Sequence, residues 1–404
     1  MDRTDTAPAR ASDEDFRREV RAWLEDNLAG EFAQLRGLGG TGNDLEGHDE
    51  RLEWDRHLAR HGWTCIGWPT EYGGRGLSLQ QQVIFHEEYA RANAPVRVNH
   101  LGEELLGPTL IAFGTPEQKE RFLPPIRAVE ELWCQGYSEP NAGSDLANVQ
   151  TRARLDPSSG SGTTGEWIVD GQKVWTSLAQ FADWIFVLAR TEPGSERHRG
   201  LSFLLVPTAQ DGVEIRGIEQ LTGGAEFNEV FFTGARTAAD LVVGEPGDGW
   251  RVAMALLGFE RGVSTLGQQV GFRRELDALV GVARANGSYD DPVLRDRLAR
   301  ADAELEVIRL NAVRTLNQQE GGQQSAGSAS IAKLLWAGWH RRLGELAMQV
   351  RGVESLTTGP DYDLDRWQRL FLFSRADTIY GGSDEIQRNI LAERVLGLPR
   401  EVRP

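Results

Sequence analysis

The chain is 404 residues long, more than one simple hydrophobic core accommodates, so two or three packed domains are expected. With 44 basic and 60 acidic residues it carries a formal charge of -16, which argues against nucleic acid or anionic lipid as its main partner and leaves room only for a local basic pocket. Its two cysteines, Cys65 and Cys134, share no ligand spacing, so neither a disulfide framework nor a zinc site is indicated and a cytoplasmic location is expected. Residues 1–13 are polar and acidic with no apolar leader core, and no run is long enough to span a bilayer.

From about residue 14 to residue 132 the apolar residues recur at helical spacing, as in Phe16, Val20, Trp23 and Leu24, or Val83, Ile84 and Ala90. A first, all-helical domain over residues 1–132 follows. Within it, Gly114-Thr115-Pro116-Glu117-Gln118 puts Thr115 at an N-cap, Pro116 at the first helical position and Gln118 at the capping-box position, a helix start. His57 and His61 lie four apart with no carboxylate or cysteine cluster beside them, so a solvated helix face is expected in preference to a metal pair.

At Trp133 the pattern changes. The passage Trp133-Cys134-Gln135-Gly136-Tyr137-Ser138-Glu139-Pro140-Asn141-Ala142-Gly143-Ser144-Asp145 runs from strand to tight loop; Tyr137 can offer a ring face and Ser138 a hydroxyl to a flat heteroaromatic. The loop's backbone N–H groups and the Ser144 hydroxyl suit an anionic or carbonyl-bearing ligand. Strand-like runs at 167–169, 184–189, 201–206, 213–215 and 229–232 make residues 133–245 a small β-barrel domain, with 156–165 as a surface hairpin insert. After Gly249 helical spacing returns, broken at 286–292 and 359–362, and residues 246–404 form a helical bundle in which Trp336 and Trp339 are core. Residues 291–300, with charges of both signs, are a solvated helix surface. Ala253, Leu256, Leu257, Val263, Ser264 and Gly267 form one helical stripe, and Glu260 falls within it.

The passage ending Ser138-Glu139-Pro140-Asn141-Ala142-Gly143-Ser144-Asp145 resembles the T-E-P-x-A-G-S-D signature of acyl-CoA dehydrogenases, and the order of helices, β barrel and helical bundle matches that family over nearly the whole chain. The turns Gly67-Trp68-Pro69-Thr70-Glu71-Tyr72-Gly73-Gly74 and Gly114-Thr115-Pro116-Glu117-Gln118-Lys119 match further hallmarks. The resemblance implies an α+β multidomain fold and FAD as cofactor. It implies that Trp175, in Lys173-Val174-Trp175-Thr176-Ser177, covers the flavin beside the hydroxyls of Ser138 and Ser177. Gln349 and Gly352, in Ala347-Met348-Gln349-Val350-Arg351-Gly352, would meet the adenine half of a neighbouring subunit's cofactor, so a homotetramer is expected. The family's R-x-x-F-G, which sends an arginine to the cofactor diphosphate, has no match between Gly271 and Pro292.

Tyr380-Gly381-Gly382-Ser383-Asp384-Glu385-Ile386-Gln387-Arg388 resembles the family's Y-E-G-T-x-x-I-Q-R, whose Glu removes the α-proton of the thioester. Here that position is Gly381. Asp384 and Glu385 are displaced by about a helical turn and are expected to orient the flavin or cap the next helix, with Ser383 as the cofactor-side hydroxyl. A second family arrangement places the base immediately before an arginine on the first long C-terminal-domain helix, and here that dipeptide is Glu260-Arg261. The resemblance thus implies α-proton removal by Glu260, hydride transfer from the β-carbon to the flavin, and the Gly381 N–H on the thioester oxygen, giving a trans-2-enoyl-CoA. Ser144, Arg261 and Tyr380 are the expected substrate contacts.

Loss of the carboxylate at Gly381 enlarges the space beside the substrate and favours a branched, long or ring-bearing acyl group. An electron-transfer flavoprotein is the expected acceptor. Two alternatives stand beside the self-sufficient enzyme: one subunit of a hetero-oligomeric pair sharing flavin sites, and a dehydrogenase of carrier-protein-bound acyl thioesters. A flavin oxidase is a third, which would show itself by rapid reoxidation with oxygen.

Overall fold

The computed structural model describes residues 12–40, 42–158, 165–260, 263–320 and 327–400. The first helix, α1 (Asp13–Asn27), starts behind Ser12, whose side chain accepts from the Asp15 N–H, and buries Phe16, Val20 and Leu24 at the expected spacing. It is followed by α2 (His48–Arg60), α3 (Leu79–Arg91), a π-helical turn over Leu101–Leu106, α4 (Gly107–Phe113) and α5 (Pro116–Ala128). The Thr115–Gln118 capping box at the start of α5 is present. Gln118 does more than cap, because its Nε2 also donates to the carbonyls of Asp240 and Val242 at 2.7 Å and so ties this helix to the sheet.

The His57 expectation needs correction. That side chain is half-buried among the rings of Trp23, Trp54 and Phe32, and its Nε2 is 2.8 Å from Asn27 Oδ1. Only His61 is exposed. Among the described residues no group of His, Cys, Asp and Glu could hold a metal ion.

The middle of the chain forms one eight-stranded sheet from β1 (Trp133–Gly136), β2 (Arg152–Asp156), β3 (Glu166–Ser177), β4 (Trp184–Arg190), β5 (Leu201–Pro207), β6 (Val213–Ile218), β7 (Phe227–Ala238) and β8 (Val242–Val243). The order is β6-β7-β3-β2-β4-β5-β8, with β1 parallel to β4. β3 and β7 run well past their apolar stretches because the ladder carries polar positions such as Asp170 and Asn228, which hydrophobicity alone does not mark. β2 is largely polar and was not expected; it pairs with β3 as a hairpin whose last register pair is Asp156–Glu166, with the low-complexity insert between them.

The helices after the sheet are α6 (Gly249–Glu260), α7 (Val263–Ala285), α8 (Pro292–Glu320), α9 (Ser328–Arg351), α10 (Arg366–Asp377) and α11 (Asp384–Ile390). The break after α7 falls where it was expected, at Gly287 with φ +79° and a 3-10 turn over Ser288–Asp290. Trp336, Trp339, Phe272, Leu276 and Leu343 fill the bundle core. A separate core joins all three parts: Leu105 and Leu106 of the π-turn, Phe186 and Phe203 of the sheet, and Ala253 and Leu256 of α6 pack in one cluster. This cluster fixes where α6 ends, and α6 ends at Glu260.

Candidate active site

Near its end β3 loses register with β7, between Lys173 and Thr176. Trp175 sits in that bulge with φ +60°, a conformation a bulky residue adopts only at an energetic cost. The residue is 57% exposed, and its ring meets Phe227 edge-on with centroids 6.3 Å apart. A strained backbone that holds a large apolar ring out toward solvent does not serve the core; it presents a flat surface. Val174 N–H donates to the Ser138 carbonyl at 2.9 Å, which brings the end of the Ser138 segment alongside the bulge, and Ser177 follows opposite Phe227. Both serine side chains are half-buried, while Ser144 is exposed on the loop beyond. A Cβ on the neighbouring Gly143 would meet nothing within 4 Å. A planar ring, two hydroxyls and an open loop of backbone amides suit a flat heteroaromatic with a polar edge, so the residues present fit an isoalloxazine.

Tyr137 does not join them as expected. Its ring turns inward, 5% exposed, and packs edge-to-face on Phe186 and Phe203, because the strand period sends it to the core side.

Beneath the loop lies a pair that sequence reasoning did not single out. The Lys173 ammonium, fully buried, donates to Glu139 Oε1 at 2.8 Å and to the carbonyls of Tyr137 at 3.1 Å and Leu188 at 2.8 Å. Glu139 in turn accepts from the N–H groups of Gln150 at 2.6 Å and Thr151 at 2.9 Å. Burial pushes Lys173 down to about 8, with Glu139 pulling it back up. Burial also disfavours the Glu139 carboxylate, but Lys173 and the amide donors outweigh it and hold the group below its ordinary value. The available signal was a lysine within a strand and a glutamate in the loop, both inside the two quoted motifs.

In the C-terminal block, Gly381 and Gly382 take φ +61° and +85° and make the turn between α10 and α11. Gln387, fully buried, donates its Nε2 to both glycine carbonyls at 3.2 Å and accepts from Ser330 at 2.7 Å. Ser383 is the N-cap of α11, its Oγ accepting from Ile386 N–H, and Asp384 and Glu385 occupy the acidic first turn. The backbone amide and Ser383 hold the exposed Glu385 carboxyl below its ordinary value. Tyr380 is 42% exposed, and its hydroxyl donates to Asp377 at 2.7 Å.

Glu260 is the last residue of α6; its side chain and the whole of Arg261 lie outside the described residues. Gln349, exposed, accepts from Arg297, and Gly352 caps α9 with φ +58° and no neighbour within 4 Å of a Cβ, so it is a helix terminus and not a tight packing point. At about 1.5 Å per residue, Gln349 lies roughly 28 Å along α9 from Ser330. It therefore cannot serve the same turn as Gly381. Of the arginines near the missing diphosphate motif, Arg273 pairs with Asp302, Arg274 donates to the Ala90 carbonyl at 2.8 Å, and Arg284 lies 5.2 Å over the Tyr289 ring.

Three family models account for the chain in sequence: the acyl-CoA dehydrogenase N-terminal domain over residues 10–130, the middle domain over 134–235 and the C-terminal domain over 247–396. The chain belongs to the acyl-CoA dehydrogenase family. It is an oxidoreductase of that family, in the expected fold, and the family is typically FAD-dependent. This dehydrogenase is 62% identical to the acyl-CoA dehydrogenase IpdE1 of Mycolicibacterium smegmatis over 96% of its length and 99% of the relative's. Among solved structures it resembles the Tcur3481-Tcur3483 steroid ACAD, with a TM-score of 0.83 at 30% identity, covering 97% of this chain and 99% of that one. It also resembles the ChsE4-ChsE5 complex from Mycobacterium tuberculosis, with a TM-score of 0.78 at 32% identity, covering 99% of this chain and all of that one. Among the described residues no helix is long and apolar enough to cross a membrane.

Proposed function

We propose that this dehydrogenase oxidises the Cα–Cβ bond of a bulky, ring-bearing acyl-CoA to the trans-2-enoyl thioester, with Glu260 as general base. The observation that carries the reading is the Gly381 turn. At φ +61° glycine is unstrained, and the position that resembles the family's base carries no carboxylate, which supports a base on another element. Glu260 ends the helix that the shared core of Leu105, Phe203 and Leu256 fixes against the sheet.

The Gly381 N–H bonds the thioester oxygen and stabilises the charge that develops there as the α-proton leaves. Ser144, Arg261 and Tyr380 contact the substrate. FAD, when bound, supplies the two-electron acceptor for the β-hydrogen. Ser138, Trp175 and Ser177 hold its ring system, with Ser383 and Glu385 at the α11 end, and Gln349 and Gly352 serve the adenine half in a neighbouring subunit. The distance of Gln349 from Ser330 along α9 supports that last assignment. Electrons pass on to an electron-transfer flavoprotein.

The ring-bearing acyl class draws support from the glycine at position 381 and from the resemblance to the Tcur3481-Tcur3483 steroid ACAD. A second reading, in which the chain is one subunit of an unlike pair, is favoured by two observations: Arg273, Arg274 and Arg284 each have a partner within the chain, and the relatives include a ChsE4-ChsE5 complex. Purification of the chain alone, followed by an anaerobic flavin-bleaching screen over straight, branched and ring-bearing acyl-CoAs, tests both. A yellow oligomer bleached fastest by ring-bearing thioesters supports the self-sufficient enzyme. A colourless or aggregated product assigns it to a pair, and bleaching by straight chains alone contradicts the substrate class.

Trp175 gives a further prediction. Trp175→Gly should leave the melting temperature within a few degrees, since it trades an exposed ring for relief of a positive φ, yet weaken FAD retention about tenfold through the lost ring contact. Flavin release followed by fluorescence checks it, and unchanged retention would remove Trp175 from the site.

A further inference from the structure

Behind the Gly381 turn three ionisable side chains that the proposed mechanism does not use form a line leading to Tyr380. His340, 4% exposed on α9, places Nδ1 2.6 Å from Asp377 Oδ2 and Nε2 3.0 Å from Glu275 Oε2. The other oxygen of Asp377 accepts the Tyr380 hydroxyl at 2.7 Å, and Tyr380 is bonded in sequence to Gly381. We propose that His340, clamped between Glu275 and Asp377, is a positioning residue that fixes Tyr380 and the Gly381–Gly382 turn against the thioester. This rests on the reading of that turn given under the proposed function.

The geometry favours positioning over simple packing for three reasons. First, with a carboxylate on each ring nitrogen the imidazole donates from both sides, so the ring has one orientation and cannot flip between hydrogen-bond partners. Burial works against the charged ring, but Glu275 and Asp377 overcome it and raise His340 to about 10, so it remains an imidazolium through the working range. Second, burying the His340 imidazolium between two carboxyl groups costs desolvation that apolar side chains of the same volume would not. The Phe272 ring, 4.8 Å from His340, shows that apolar partners are at hand.

Third, α9 braces the turn at two points. Ser330, Lys333 and His340 recur at a spacing that puts them on one helix face. Ser330 holds Gln387, which holds the Gly381 and Gly382 carbonyls, and His340 holds Asp377, which holds Tyr380. The Lys333 ammonium lies 4.3 Å from the Tyr380 ring centroid and 4.3 Å from that of Trp336, on the same side. A turn of two positive-φ glycines has little stiffness of its own. The two braces supply it, and the N–H that meets the thioester oxygen is thereby kept in one direction.

The test compares His340→Gln and the milder Glu275→Gln, at a partly buried position, with the wild-type protein by two readouts. Amide hydrogen exchange of residues 378–383 should speed up in both variants with or without any acyl-CoA. The limiting rate of flavin bleaching by the best acyl-CoA should fall about 10- to 100-fold in His340→Gln, while the half-saturating concentration moves less than about threefold. Unchanged exchange in the turn, or loss of binding with an unaltered limiting rate, would overturn the proposal. If no acyl-CoA bleaches even the wild-type flavin, it is the dehydrogenation reading of this turn that fails, and the exchange comparison still decides whether His340 positions it.

Discussion

Glu260→Gln is expected to lower the limiting rate of flavin bleaching by about 10²- to 10⁴-fold while the protein keeps its FAD and binds acyl-CoA about as tightly as before. The amide is close to the carboxylate in size and cannot accept the α-proton, so the loss belongs to the chemical step and not to the fold. Among the described residues the carboxylates that flank the Gly381 turn are otherwise engaged. Asp377 is occupied by His340 and Tyr380, and Asp384 and Glu385 sit in the first turn of α11. Bleaching that survives in Glu260→Gln at the wild-type rate would mean that the base lies elsewhere.

The second large effect is expected at Lys173. Replacing it with methionine removes the only side-chain cation on buried Glu139 among the described residues and leaves that carboxylate with two backbone donors. Breaking one side of a buried pair costs about 3–5 kcal/mol, and the surviving amide donors put Lys173→Met near the lower end. Denaturant melts should show that loss, with FAD released early, because Glu139 anchors the loop from its first residue. Lys173→Met combined with Glu139→Gln should recover a large part of it, since the uncompensated charge has gone. A single variant as stable as the wild type would show that the pair is not what holds the loop.

The same pair gives the sign of an acid effect. Glu139 is held below the ordinary carboxylate value of 4.5, so its contribution is present above that pH and is lost as pH falls through the lowered value. The wild-type loop should therefore loosen in acid, and the double variant should loosen less.

How much of this was legible in the sequence follows from what each feature depends on. The helix start at Thr115 was readable because a cap is a local hydrogen bond between residues three apart. The Trp133 passage and the Gly381 turn were readable because short motifs with glycine and proline constrain the backbone within a few residues. The bulge at Trp175 was not, since it arises from β3 and β7 slipping against each other across more than fifty residues of chain. Tyr137 was misjudged for a related reason: the strand alternation that sends its ring inward is set by how β1 lies on β4. The buried pair of Lys173 and Glu139 and the line from Glu275 to Tyr380 join residues that are far apart in sequence. Local pattern carries no sign of which charges will meet in a core, and only the packing of α7, α9 and α10 brings that second set together.

The central claim is that Glu260 removes the α-proton, and washout of that proton measures it most directly. A 3-thia acyl-CoA has an acidic α-position but no β-carbon to give up a hydride, so proton removal is seen apart from oxidation. Incubated with the protein in deuterated water, it should gain deuterium at the α-carbon with the wild type and not with Glu260→Gln. Equal exchange in both proteins would contradict the account.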